Sequence, residues 1–259
     1  MGNEENLMDE IFKNPTVKQV IFQIKYPNLF SIENKIGDIQ LKIMKEFPEA
    51  HLVFTRQAFF VDLGPEAKLE DVLQKQESEG RKIWQFNSPK KYQLSITSNS
   101  LDITSEFHKT YNNPKSDVRF RDIIEFALKQ FFDVTQIPII TRVGLRYIDN
   151  CPIKSKDNKT FSSYFNTTFP LKIFDLENVE MMHFEVITKK DNYNLRYVES
   201  LRQIDNKFTL IMDFDSFANN INAEEILSIT DKLHGFITKE YRGRIKAPLL
   251  KFMQTGELT

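Results

Sequence analysis

Two arginines, Arg142 and Arg146, lie four residues apart around a glycine in the run I-I-T-R-V-G-L-R-Y-I-D-N from Ile139 to Asn150. The run alternates as a β-strand does, with side chains pointing to opposite faces at period two. Val143, Leu145 and Tyr147 therefore share one face, and Arg142, Gly144 and Arg146 share the other. Two guanidinium forks on one face match the geometry of carboxylate or phosphate. Gly144, which has no side chain, lets a backbone or a ligand approach between them. A plainer reading uses the same residues: the arginines pair with carboxylates on neighbouring strands, and the glycine marks a bulge.

Acids and a histidine join this face when two further strands are read the same way. In Lys207 to Phe214 the residues Phe208, Leu210, Met212 and Phe214 point inward, leaving Thr209, Ile211, Asp213 and Asp215 outward. In Val179 to Lys189 the inward set is Met182, Phe184 and Val186, and the outward set is Met181, His183 and Glu185. Three chemistries suit the resulting set. Cross-strand ion pairs such as Arg146 with Asp213 or Glu185 would fix register and keep the face hydrated. A ligand site formed by Arg142, Gly144, Arg146, His183, Glu185, Asp213 and Asp215 would grip a carboxylate, phosphate or nucleotide. A hydrolytic metal site would draw on Asp213, Asp215, Glu185 and His183.

The signatures of other chemistries are missing. The chain contains no G-x-x-x-x-G-K phosphate loop, G-x-G-x-x-G, G-x-S-x-G or H-E-x-x-H. No cofactor, resident metal or catalytic residue is therefore expected. Cys151 follows the central strand and His183 could approach it, but a lone cysteine there reads better as a small buried residue. His51, His108 and His234 are scattered, and Trp84 and Phe86 read as interior.

The elements that position these residues come in a repeated order. A short helix is expected over Met1 to Lys13, before the Asn14-Pro15 break. A strand follows over Val17 to Tyr26, then a helix whose stripe is Ile32, Ile36, Ile39, Ile43 and Phe47, stopped at Pro48. Strands are expected over His51 to Leu63, Lys82 to Asn87, Tyr92 to Thr97 and Asn99 to Phe107. The charge-dense segment Glu66 to Glu79 lies between the first two, as a solvated helix or ordered loop. A helix over Val118 to Phe132 closes the first half. The second half runs from the central strand through a short helix at Phe161 to Thr168 and strands at Val179 to Lys189, Tyr193 to Gln203 and Lys207 to Phe214. It ends in a helix over Ala223 to Arg244, capped by Asn222 with Glu225. The expected fold class is α+β, with two similar β-α-β(3-4)-α halves made of antiparallel sheets with helices on one face. The division is an N-terminal segment 1–16, a first half 17–135 and a second half 136–259, which could join as one continuous domain.

Composition narrows the partners. With 41% hydrophobic and 27% charged residues, the chain is of ordinary globular make-up and long enough to bury a core. Its formal net charge of -1 disfavours nonspecific nucleic-acid binding, which feeds on a basic excess. The single cysteine excludes an intrachain disulfide and fits a cytoplasmic setting. No apolar run approaches the ~20 residues that span a bilayer, and the N-terminus lacks a signal-peptide pattern, so no membrane association is expected.

The run R-V-G-L-R-Y-I-D-N from Arg142 to Asn150 resembles the R-x-G-L-R-Y-x-N signature of a sporadically distributed prokaryotic protein family without an assigned activity. Asn14-Pro15, the W-x-F at Trp84 to Phe86, and Leu233-His234 running into Phe236 and Tyr241 fall in the same order, so the resemblance spans nearly the whole chain. Two positions depart from it: Asp149 precedes Asn150, and Thr16 stands where a second proline often follows the first. The resemblance implies a prokaryotic source and a link to mobile or defence-related gene neighbourhoods, and it implies no catalytic residue. The element order also resembles the TATA-binding-protein-like fold, in which two such units join into one curved sheet with an open face. The reading that results is a non-enzymatic binding protein that recognises a small anionic ligand or a protein partner through the open face, with self-association as a further expectation. The alternative from another class is a metal-dependent hydrolase using the carboxylates of that face.

Overall fold

The computed structural model describes residues 11–55, 81–117, 119–190, 192–204 and 207–258. Of the helix expected over Met1 to Lys13, only Ile11 to Lys13 are described, and they are not helical. The end of the strand expected over His51 to Leu63 and the whole segment Glu66 to Glu79 lie outside the described residues.

The chain forms an α+β fold whose described residues make one antiparallel sheet of nine strands. The strands are β1 (Val17–Lys25), β2 (Glu49–Thr55), β3 (Arg81–Ser88), β4 (Tyr92–Ile96), β5 (Ser100–Ser105), β6 (Ile139–Pro152), β7 (Met182–Lys190), β8 (Tyr193–Ile204) and β9 (Lys207–Asn222). Their spatial order is β2-β3-β4-β5-β1-β6-β9-β8-β7. Each half places its last strand beside its first, and the two first strands, β1 and β6, join the halves at the centre.

The inward faces alternate as the sequence predicts. Val20, Phe22 and Ile24 of β1 are buried, as are Val143, Leu145 and Tyr147 of β6 and Leu210, Met212 and Phe214 of β9. Each such side chain taken from water contributes roughly 1.5–3 kcal/mol. The helices α1 (Ile32–Ile43) and α2 (Phe120–Thr135) pack on each other over the first half, and α4 (Ile226–Arg244) lies along β6 and β9. All three present apolar stripes at helical spacing: Ile32, Ile36, Ile39 and Ile43 in α1, Phe120, Ile123, Ile124, Ala127, Leu128 and Phe131 in α2, and Ile226, Leu233, Ile237 and Tyr241 in α4. Gln136 ends α2 in the left-handed conformation, φ 52°, two residues before Pro138. Across the halves, Asp231 of α4 accepts from the Tyr111 hydroxyl at 2.7 Å and from Arg121 Nε of α2 at 2.9 Å.

Several boundaries move. β9 runs eight residues past Phe214, to Asn222, because Ser216 and Ala218 continue its inward face with small side chains. The short helix α3 spans Asn158–Tyr164 rather than Phe161 to Thr168, and the Asp157 carboxylate caps it by accepting from Thr160 N at 2.8 Å. α4 is preceded by one 3-10 turn, Ala223–Glu225. There Asn222 meets Glu225 side chain to side chain at 2.9 Å, with no side-chain cap on the backbone. A further helix, α5 (Ala247–Thr255), follows α4 with a proline in its first turn and ends at Gly256, φ 86°.

Candidate functional site

On the open face, Arg142 lies back over Gly144. A Cβ built on Gly144 would sit 2.3 Å from Arg142 Nη1, so the space that glycine leaves is filled by the guanidinium of its own strand. Register runs unbroken through Gly144 toward both β1 and β9, and no bulge forms there. From that position Arg142 donates through Nη1 to Gln23 Oε1 at 2.8 Å and through Nη2 to both oxygens of Asp215, at 2.7 and 3.0 Å. Its guanidinium also stacks 4.5 Å above the Phe217 ring. Gln23 passes its amide N–H to Asp102, which also accepts from Ser100 Oγ at 2.9 Å. Burial raises the Asp102 pKa, and these hydrogen bonds from Gln23 and Ser100 offset part of that rise.

A second row starts at Arg146. Its Nε and Nη2 form a bidentate pair with Asp213, at 2.7 and 2.6 Å. Asp213 Oδ2 also accepts from Arg196 Nη1 of β8 at 3.2 Å, and Arg196 Nε donates to Glu185 Oε1 of β7 at 2.7 Å. His183 Nε2 stands 3.7 Å from Glu185 Oε2. The bond from Arg196 holds the Glu185 carboxyl below its ordinary range. These pairs are diagonal. Directly across from Arg146 lies Asp215, and directly across from Asp213 lies Ile148. Because Asp215 is engaged by Arg142, Arg146 reaches one pair further along β9.

All seven residues singled out from sequence, Arg142, Gly144, Arg146, His183, Glu185, Asp213 and Asp215, therefore lie on one face, divided between two polar rows. Sequence reasoning missed three members that complete those rows, Gln23, Asp102 and Arg196. Alternation in β8 carried a signal for the last, since Leu195, Tyr197 and Leu201 face inward and leave Arg196 outward. The oxygens of Asp213 and Asp215 are occupied by guanidinium N–H groups. Among the described residues, no group of three or more His, Cys, Asp and Glu could hold a metal ion.

Cys151 does not follow the central strand but lies within it, fully buried on the helix side, with its thiol pKa raised by burial and then by Asp149. His183 sits on the opposite face, three strands away in the sheet order, so the two cannot act together. His108 is buried against Ser105 Oγ at 2.7 Å, and burial lowers its pKa to about 4, which keeps the ring neutral. Two carboxylates point unexpectedly to the helix side. Glu199 accepts from the hydroxyls of Tyr197 (2.6 Å), Thr167 (2.8 Å) and Thr168 (3.0 Å). Asp149 accepts from Thr16 Oγ1 at 2.8 Å, while its Oδ2 is buried without a partner among the described residues.

No helix among the described residues is long and apolar enough to cross a membrane. No family model, curated protein or solved structure matches the chain.

Proposed function

We propose that the protein is a non-enzymatic binding module whose open sheet face recognises an anionic group, carried on a small ligand or a protein partner, between Arg146 and Arg196. One observation carries this reading: two guanidiniums flank the single carboxylate of Asp213, and each keeps a donor in hand. Arg146 uses Nε and Nη2 and Arg196 uses Nε and Nη1, leaving Nη1 of the first and Nη2 of the second without an acceptor among the described residues. The Arg146 side chain is 36% exposed over an Asp213 that is only 10% exposed, so a second anion would meet cations already held in place. Arg142 differs, being 17% exposed with Gln23 and Asp215 as partners, and serves as a support for β9. The seating of β1 against β6 supports the TATA-binding-protein-like arrangement as part of this reading. A metal-dependent hydrolase would have to open both arginine–aspartate pairs first, and no contact on this face favours it.

The test is a thermal-shift and calorimetric titration with inorganic phosphate, citrate and a hexaglutamate peptide, on the wild type and on Arg146→Gln/Arg196→Gln. The expected result is a rise in Tm with at least one probe that the double variant loses. Equal shifts in both proteins, or no shift in the wild type with any of the three, would remove the reading.

A further inference from the structure

The outer strand of the second half, β7, ends the sheet, and no strand pairs with its outer side among the described residues. Such an edge presents backbone donors and acceptors in a row and is ordinarily blunted by charge, most often lysine. Here the two lysines at its end have different surroundings. Lys190 is turned back onto its own chain, where it pairs with Glu240 of α4. Lys189 faces outward in the same row as His183, Glu185 and Ile187. Ile187 is 68% exposed in the middle of that row.

We propose that β7 is a self-complementary edge that pairs antiparallel with β7 of a second copy of this chain, about a two-fold axis at Ile187. In that register Ile187 meets Ile187 of the other copy, and Glu185 of each copy stands opposite Lys189 of the other. The charges decide the register. A shift of the axis by one residue toward the N-terminus sets Glu185 against Ile187 and loses its lysine partner, and a shift by two sets Glu185 against Glu185, like charges that are destabilising when directly opposite. Arg196 holds Glu185 Oε1 from the β8 side at 2.7 Å and His183 Nε2 lies 3.7 Å from Oε2; the Glu185 side chain is 39% exposed, and Lys189 of the other copy would share Oε2 with His183. A two-fold perpendicular to the sheet keeps both open faces on the same side, so pairing extends one polar surface across two chains. An edge pairing of this length buries less than the ~1,600 Å² of a standard interface, so the dimer is weak and depends on concentration. This inference does not depend on anion recognition by Arg146 and Arg196.

Sedimentation velocity over a wide concentration range tests it. The wild type is expected to move from monomer to dimer as concentration rises. Ile187→Lys, Lys189→Glu and Glu185→Lys, each checked by circular dichroism for a native fold, are expected to remain monomeric. An equimolar mixture of Lys189→Glu with Glu185→Lys is expected to dimerise again, since both cross-chain pairs then match. A wild type that stays monomeric throughout, a dimer unaffected by Ile187→Lys, or a mixture that fails to recover would each overturn the proposal.

Discussion

The Thr16 hydroxyl donates to Asp149 across 2.8 Å and lies 2.8 Å from the Tyr241 hydroxyl, joining the approach to β1, the end of β6 and α4 in one buried cluster. Thr16 and Asp149 lie 133 residues apart in the chain, and each is the other's side-chain partner. With the Thr16 proton given to Asp149, the Tyr241 O–H is left to donate to Thr16.

Asp149 gives the fold a pH dependence of definite sign. Burial, opposed by the hydrogen bond from Thr16 and the charge of Lys109 and reinforced by Asp213, pushes its pKa up to about 7. A carboxyl whose folded pKa is raised stabilises the fold below its unfolded value near 3.8, and that contribution is lost as pH rises through the folded value. The loss approaches ~1.4 kcal/mol per pH unit inside the window. Urea unfolding of Asp149→Asn should therefore match the wild type near the acid end. By about pH 8 the variant should exceed it by up to about 4 kcal/mol. Parallel pH profiles for the two proteins would contradict this.

Gly144→Ala should act through Arg142. The new methyl group would displace a guanidinium, the flexible end of a side chain, so the backbone need not move. The cost is the hydrogen bonds to Gln23 and Asp215, about 1–2 kcal/mol. In a double-mutant cycle, Arg142→Ala should cost markedly less in the Gly144→Ala background than in the wild type. Strict additivity would show that the two residues are independent.

Asp213 should matter more than Asp215. Asp213 lies between two guanidiniums and Asp215 serves one, so Asp213→Ala leaves Arg146 without its bidentate carboxylate, beside an Arg196 held by Glu185 alone. Chemical denaturation should show a loss of roughly 2–3 kcal/mol for Asp213→Ala and a smaller loss for Asp215→Ala. Added salt should narrow the difference by screening the repulsion.

Glu199 fastens the segment after α3 to the sheet. Replacing it by Gln removes a charged acceptor shared by Tyr197, Thr167 and Thr168, at a cost of about 1–2 kcal/mol. Hydrogen exchange should report it locally, since the Thr168 backbone N–H donates to Glu199 at 3.2 Å and should lose protection before the strands do. Uniform acceleration across β8 and β9 would mean instead that the whole sheet had loosened.

The parts of the site legible in the sequence were those where polarity and strand parity agree. From Arg142 to Tyr147 in β6 and from Met212 to Asp215 in β9 the inward residues are apolar and the outward ones, Gly144 apart, charged, so counting by twos places Arg142, Arg146, Asp213 and Asp215 correctly. β8 breaks the rule in both directions, with Glu199 inward and Val198 outward, and Arg196 was overlooked in consequence. Asp149 has the parity of Tyr147, which places it inside, but an isolated carboxylate argues for water. Only the tertiary neighbour Thr16, 133 residues away, reconciles the two. α5 was legible in principle, because Ala247-Pro248 after Lys246 is a helix-opening pattern. The end of β9 was not, since Ser216 and Ala218 inward with Phe217 outward reverse the expected polarity.

The seam between β1 and β6 also sets the order in which the fold can be completed. Hairpins β3-β4, β4-β5, β7-β8 and β8-β9 join neighbours in sequence and can close early. β1 against β6 and β6 against β9 must wait for distant segments, and loop closure of that length is slow and entropically unfavourable until the contacts form. Until then β1 is an open edge beside β5, and a nascent or truncated first half presents it to any free strand nearby. Aggregation of this chain should accordingly begin at its centre, before the two halves have met.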